Sequence, residues 1–213
     1  MASINNKYRS MAFLVMFFVS TVNGAAQEVT DKWKIQFSLG VNNPLDAVEN
    51  DGYYSKNINF PTVNLGIQHM FNYRLGAKLD VGYNRSSSDS GSKVFKLNYT
   101  RINAQGVYDF TNWLKFLPEP MSINVHAGPG ISFTRPLGND KENKYTYLNV
   151  LGGLELHYDI SRTVSVYGDL GYAIGLSGKN KYDVNVDGFS FNGNLIYASL
   201  GISVALSGCR TCN

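Results

Sequence analysis

YRLGAKLDVGYN, residues 73–84, separates into two lists. Tyr73, Leu75, Ala77, Leu79, Val81 and Tyr83 fall on one phase, and Arg74, Gly76, Lys78, Asp80, Gly82 and Asn84 on the other. An extended chain sends successive side chains to opposite faces, so this stretch predicts a strand with one apolar face and one polar or small face. The same period of two recurs over 33–41, 63–71, 102–110, 123–133, 148–158, 164–174 and 196–206. Eight strands are therefore expected. Before Ile102 the phase is disturbed, because Phe95, Leu97 and Tyr99 fall on the other parity and suggest a slip or bulge. Pro129, within GPG, has no N–H for a ladder and marks a bulge or a locally broken pair.

The connections alternate as well. Residues 42–58, 85–94, 136–144 and 176–192 are long and polar, whereas 71–73 and 159–162 are tight, with TNWLKFLPEP at 111–120 intermediate. Long loops at one end and short turns at the other are the habit of outer-membrane barrels. No second domain, internal repeat or low-complexity linker interrupts the pattern.

Alternation alone leaves open which face is inside, since a soluble ligand-carrying barrel alternates too. Size decides. Eight strands enclose a space just wide enough to be filled by side chains. The polar phase carries Gly40, Gly66, Gly76, Gly82, Gly128, Gly130, Gly153, Gly171 and Gly201, while the other phase is bulky Leu, Ile, Val, Tyr and Phe. Small residues suit the crowded inside, and the bulky apolar phase must then meet lipid. Within these eight stretches the apolar phase holds no Asp, Glu, Lys or Arg. Backbone groups in hydrocarbon must all be paired, which requires the sheet to close. The expected fold is an all-β, eight-stranded antiparallel transmembrane up-and-down barrel over residues 27–206, with a tail at 207–213. A leader occupies 1–26: Lys7 and Arg9 precede the apolar run 11–20, and small residues lead to a cut before Gln27.

The inward phase gathers a lumen charge network of Lys34, Arg74, Lys78, Asp80, Arg101, Glu155, His157 and Asp169, with Asp109 and His126 on the same phase. Charges in so narrow a space need partners. The expected role is a salt-bridge and hydrogen-bond network that fills the barrel, and the alternative is a thin conduit for ions or small solutes. Trp33, Tyr73, Tyr83, Tyr108, Trp113, Tyr158 and Tyr172 gather toward strand ends, as rings do at membrane interfaces. The formal net charge of +3 gives no reason to expect a nucleic-acid partner. Cys209 and Cys212 lack the further ligands of a zinc site, and no cofactor or metal is expected.

NYTRINAQGVYDF, INVHAGPGISF, LGGLELHYDI and YASLGISVAL, together with the leader, resemble the small outer-membrane β-barrel family of Bacteroidetes-type bacteria, the "porin family" domain of OmpA/OmpX type. The resemblance implies a multi-pass protein of the bacterial outer membrane with both mature ends in the periplasm. Its implied partners are outer-membrane lipid and, during biogenesis, periplasmic chaperones and the barrel-assembly machinery. Family barrels commonly end on an aromatic residue, whereas here Leu206 is followed by SGCRTCN. A structural or surface-interaction role follows, with loops 42–58 and 176–192 as candidate ligand-binding surfaces. Some barrels of this size modify lipid. His69 has no Ser partner on the lipid-facing phase, so no catalytic residue is named and no enzyme activity is expected.

Overall fold

The computed structural model describes residues 32–45, 52–138, 141–176, 191 and 193–206. The leader, the tail with Cys209 and Cys212, and most of loop 176–192 lie outside the described residues, as does part of loop 42–58. Eight antiparallel strands follow in chain order: β1 (Trp33–Pro44), β2 (Asn59–Met70), β3 (Leu75–Ser87), β4 (Lys96–Asp109), β5 (Met121–Leu137), β6 (Tyr145–Asp159), β7 (Val164–Gly175) and β8 (Leu195–Ala205). Each pairs with its sequence neighbour, and β8 pairs back onto β1 from Lys34↔Ala205 to Pro44↔Leu195, so the sheet is a closed barrel without edges. Among the described residues no helix is long and apolar enough to cross a membrane; the one helical element is a 3₁₀ turn at Thr111–Trp113.

The apolar phase faces outward. On β3 Leu79 and Val81 are exposed while Lys78, Asp80 and Gly82 are buried. The same inversion, greasy side chains out and polar ones in, runs around the middle of the wall on all eight strands. A sheet built this way is stable only where apolar surface is surrounded by apolar solvent.

Two local expectations are resolved by register. Between β3 and β4 the pairing runs unbroken from Leu75↔Tyr108 to Ser87↔Lys96, so there is no slip before Ile102. Leu97 and Tyr99 simply face inward on the same phase as Arg101. At Pro129 the β4–β5 ladder skips from Asn103↔Gly130 to Gly106↔Ala127 without changing register: a broken pair, not a bulge. A true irregularity lies instead between β1 and β2, where Gly40↔Thr62 is followed by Asn42↔Asn59.

The strands also extend further toward the long-loop end than the alternation suggests. β3 continues to Ser87, β4 begins at Lys96 and β5 runs to Leu137. Part of the first long loop then adds to this rim. Ser55 bridges Ser88, Lys56 N–H donates to Ser87 O at 3.0 Å, and Lys93 N–H donates to Gly52 O at 3.0 Å. Gly52 and Gly91 turn the chain there with φ of +82° and +86°, a region that favours glycine.

Candidate functional site

The lumen is filled by two kinds of chemistry. Its centre and short-turn half hold a polar network to which every strand contributes. Arg101 on β4 is fully buried, and its Nη1 donates to Asp80 Oδ2 at 2.7 Å while Nη2 donates to Asn64 Oδ1 at 2.9 Å. Asp80 also accepts from Gln105 Nε2, which leaves Gln105 Oε1 to accept from His126 Nδ1. The other ring nitrogen of His126 faces Asp169 Oδ1 at 3.2 Å, so both nitrogens meet oxygen acceptors. Tyr197 on β8 donates to Asp169 Oδ2 at 3.0 Å, and its ring lies 4.8 Å from the Arg101 guanidinium. The chain of contacts thereby returns to its starting residue after crossing the lumen.

Glu155 on β6 is the second centre. Lys78 Nζ pairs with its Oε1, while Gln36 Nε2 and His157 Nε2 approach its Oε2 at 3.2 and 2.9 Å. Three other side chains thus converge on one carboxylate that has no access to solvent. Burying a charge is costly unless its partners are supplied with good geometry, and here each buried ion has at least one counter-ion or several donors. Glycines make room for these side chains. A Cβ at Gly82 would stand 2.7 Å from Arg101 Cζ, and one at Gly171 would run into the Tyr197 ring.

In the long-loop half, Asn42, Thr62 and Asn84 of β1–β3 continue the hydrogen bonding, and the opposite side is apolar. Phe95, Leu97, Tyr99, Tyr147, Leu151, Ala173, Leu195 and Tyr197 pack together with Phe191 from the last long loop. Tyr99 and Phe191 meet edge to face with centroids 5.6 Å apart. At the opposite mouth a basin of about 170 Å³ is lined by Lys34, Asp159, Arg162, Ser165 and Ser203, below the network.

Of the eight residues expected in the network, Lys78, Asp80, Arg101, Glu155, His157 and Asp169 come together in the lumen. Lys34 lines the basin, and Arg74 belongs to the turn before β3, with its guanidinium 5.1 Å from the Tyr73 ring. Asp109 lies just before the 3₁₀ turn and accepts from Thr111 N–H at 2.8 Å. Gln36, Asn64, Gln105 and Asn149 complete the connections. They share the inward phase but are uncharged, and only the strand register reveals that they meet.

The interface aromatics divide between the two ends. Trp33, Tyr73, Tyr108, Trp113 and Tyr158 lie at the short-turn end, and Tyr83 and Tyr172 toward the long-loop end. At the short-turn end, ring contacts join Trp33, His69 and Phe71, and then Tyr108, Phe110 and Trp113.

His126, Glu155 and Asp169 each offer a ligand atom, all within 4.8 Å of one another. The set is a poor cation site. Glu155 already pairs with the Lys78 ammonium, and His126 and Asp169 are committed to Gln105 and Tyr197.

A closed eight-stranded antiparallel barrel, polar within and apolar without, is the architecture of small outer-membrane barrels. Comparison with solved structures agrees. The chain is similar to Neisserial surface protein A (12% identity, TM-score 0.60), covering 84% of this chain and 99% of that one. It is also similar to a major outer membrane protein from Thermus thermophilus, at 13% identity and TM-score 0.55 over 81% and 98% of the two chains. These likenesses show the fold. No family model matches the sequence, and no curated protein matches it.

Proposed function

We propose that this chain is a non-enzymatic outer-membrane protein, related to the OmpA/OmpX-type small barrels, whose scaffold is closed to solutes and presents its long loops at the cell surface. The observation that carries this reading is the filled lumen: ion pairs through its centre and an apolar cluster across its long-loop mouth. Aqueous channels need about 16–18 strands, twice the number here. His69, the imidazole on the lipid-facing phase, packs against the rings of Trp33 and Phe71. Among the described residues no hydroxyl or carboxylate pairs with it. Among the described residues His69 therefore has no nucleophile in contact, which supports a role in surface structure or binding.

Two measurements test this. Planar bilayers containing the refolded chain are expected to show no large, stable conductance; such a conductance overturns the closed scaffold. A cysteine in place of Ser90, on an exposed long loop, is expected to react with a membrane-impermeant thiol reagent on intact cells, above the background of the natural chain. Labelling only after the outer membrane is broken would reverse the orientation.

A further inference from the structure

The extended strands place charge on the outward wall just beyond its apolar band. Across three strands the ladder aligns Arg85 with Asn98, and Asn98 with Arg135. Lys96 lies one step higher, opposite Ser87 and Leu137. Lys144 directly precedes Tyr145, whose partner is Thr134, so it flanks Arg135. All four cations are exposed. Among the described residues, none of the four has a carboxylate partner, since the ion pairs found belong to the lumen.

Beneath this row the wall changes character in order. The next outward row is Tyr83, Thr100, Phe133 and Thr146, and the one after it Val81, Ile102, Ile131 and Leu148. Rows on one face are two residues apart, about 6.6 Å along a strand. The cations therefore follow immediately on the aromatic row, at the level of lipid headgroups. Tyr83 links the two levels by donating to Asn98 Oδ1 at 3.0 Å. Strand tilt of about 40° inclines the row, so Arg85 and Arg135 differ in depth by about 6 Å and span the headgroup layer. Among the described strand residues, the wall of β7, β8, β1 and β2 has no such row: its outward residues at this end include Tyr172, Ile174, Ile196, Val41 and Phe60, and the exposed cation nearest to it, Lys56, lies against Ser87 of β3.

The same β3–β6 wall carries a depression deeper in the band. Ala77, Gly106, Ala127 and Gly152 align across four strands. Internal packing does not require the glycines to be small. A Cβ at Gly106 would meet no atom nearer than 3.9 Å, and one at Gly152 none nearer than 4.0 Å. Ala77 lies eight residues from Arg85 on β3, about 20 Å deeper at that tilt, near the middle of a hydrocarbon core about 30 Å thick.

We infer that the β3–β6 wall docks a phosphorylated lipid of the leaflet surrounding the long-loop end. Arg85, Lys96, Arg135 and Lys144 hold the headgroup phosphates, and the acyl chains lie over the small-residue depression. Charge complementarity selects the occupant. Four unpaired cations at headgroup level on one side of the barrel match the phosphates of a lipid, and guanidinium groups in particular hold phosphate by paired hydrogen bonds. The inference rests on the membrane reading given under Proposed function.

The test uses the full mature chain refolded into phosphatidylcholine vesicles doped with bis-phosphorylated lipid A or with its dephosphorylated form. The urea midpoint of unfolding is followed as the doping lipid is raised. The midpoint is expected to rise with the phosphorylated lipid and not with the dephosphorylated one. In the variant R85Q/K96Q/R135Q/K144Q the apparent affinity for phosphorylated lipid A is expected to fall roughly fivefold per cation removed. The control variant K115Q/R162Q, altered at the short-turn end, is expected to keep the full response. Equal responses to the two lipids, an unchanged response in the fourfold variant, or an equal loss in the control each overturn the inference while the barrel stands. Failure to insert into any vesicle overturns the membrane reading, and the inference with it.

Discussion

The two halves of the lumen solve one packing problem with opposite materials. Toward the short turns and through the centre, the space is filled by Lys78, Asp80, Arg101, His126, Glu155 and Asp169, each tied to at least one other strand. At the long-loop mouth much of it is filled by Leu97, Tyr99, Tyr147, Leu151, Phe191 and Leu195, which pack chiefly by shape. An ionic filling must satisfy many atoms at once, so it tolerates loss of a member badly. An apolar filling loses contact area in proportion to what is removed. The difference predicts how each half fails.

The largest effect is expected at Glu155. Glu155→Gln removes the charge that holds the Lys78 ammonium in a site closed to water. Breaking a buried pair by removing one partner costs about 3–5 kcal/mol. The loss would appear as a lowered urea midpoint of the refolded barrel and as earlier loss of its compact, heat-modifiable gel migration. The double variant Lys78→Met/Glu155→Leu converts the site to the material of the other half and is expected to recover most of that loss. A double variant as weak as the single one would show that the pair's partners, rather than its charge, carry the stability.

Leu151→Ala tests the apolar half. Leu151 is fully buried on β6 amid the mouth cluster, and its truncation leaves a cavity that the surrounding strands close only in part. The expected cost is about 3 kcal/mol. Hydrogen exchange should accelerate first in the long-loop halves of β6 and β7, while amides beside Arg101 and Glu155 stay protected. Uniform acceleration would mean that the two fillings form one cooperative unit.

This contrast also explains what could be read in the sequence. Strand number, order and the outward apolar face were legible because a lipid-facing wall leaves every second residue apolar over long stretches. The charged members of the network stood out because a charge on an inward phase has few places to go. The apolar mouth did not stand out. Tyr147, Leu151, Ala173 and Tyr197 lie on the phase that elsewhere holds Gly, Ser and Asn, and both phases become apolar where the cluster begins. Phe95, Leu97 and Tyr99 looked like a slip for the same reason, although the register never shifts. Strand ends were hidden by the reverse effect. Beyond the apolar band the outward face turns polar, so Arg85 reads as loop and Lys96 and Arg135 fall outside the predicted strands until pairing shows all three to be wall. Gln105 and Asn149 show only their inward phase, and their roles exist through neighbours brought by the sheet.

The smallest effect is expected where the two halves touch. The ring of Tyr99 packs on Phe191 in the apolar cluster, and its hydroxyl meets Ser132 Oγ at 2.7 Å. Ser132 also accepts from Asn149 Nδ2 at 2.8 Å. Asn149 Oδ1 in turn accepts from Asn103 Nδ2 at 2.6 Å, and Asn103 Oδ1 from Arg101 Nη1 at 3.4 Å. Tyr99→Phe keeps the ring and removes only the hydroxyl, and Ser132 retains a partner. The expected cost is about 1 kcal/mol, the net worth of one neutral hydrogen bond. Tyr99→Leu also removes the ring contacts and should cost more. If Tyr99→Phe alone lowered the urea midpoint as far as Leu151→Ala, the hydroxyl would be anchoring the Arg101 network across the boundary, a second link between the fillings beside the Tyr197 hydroxyl on Asp169.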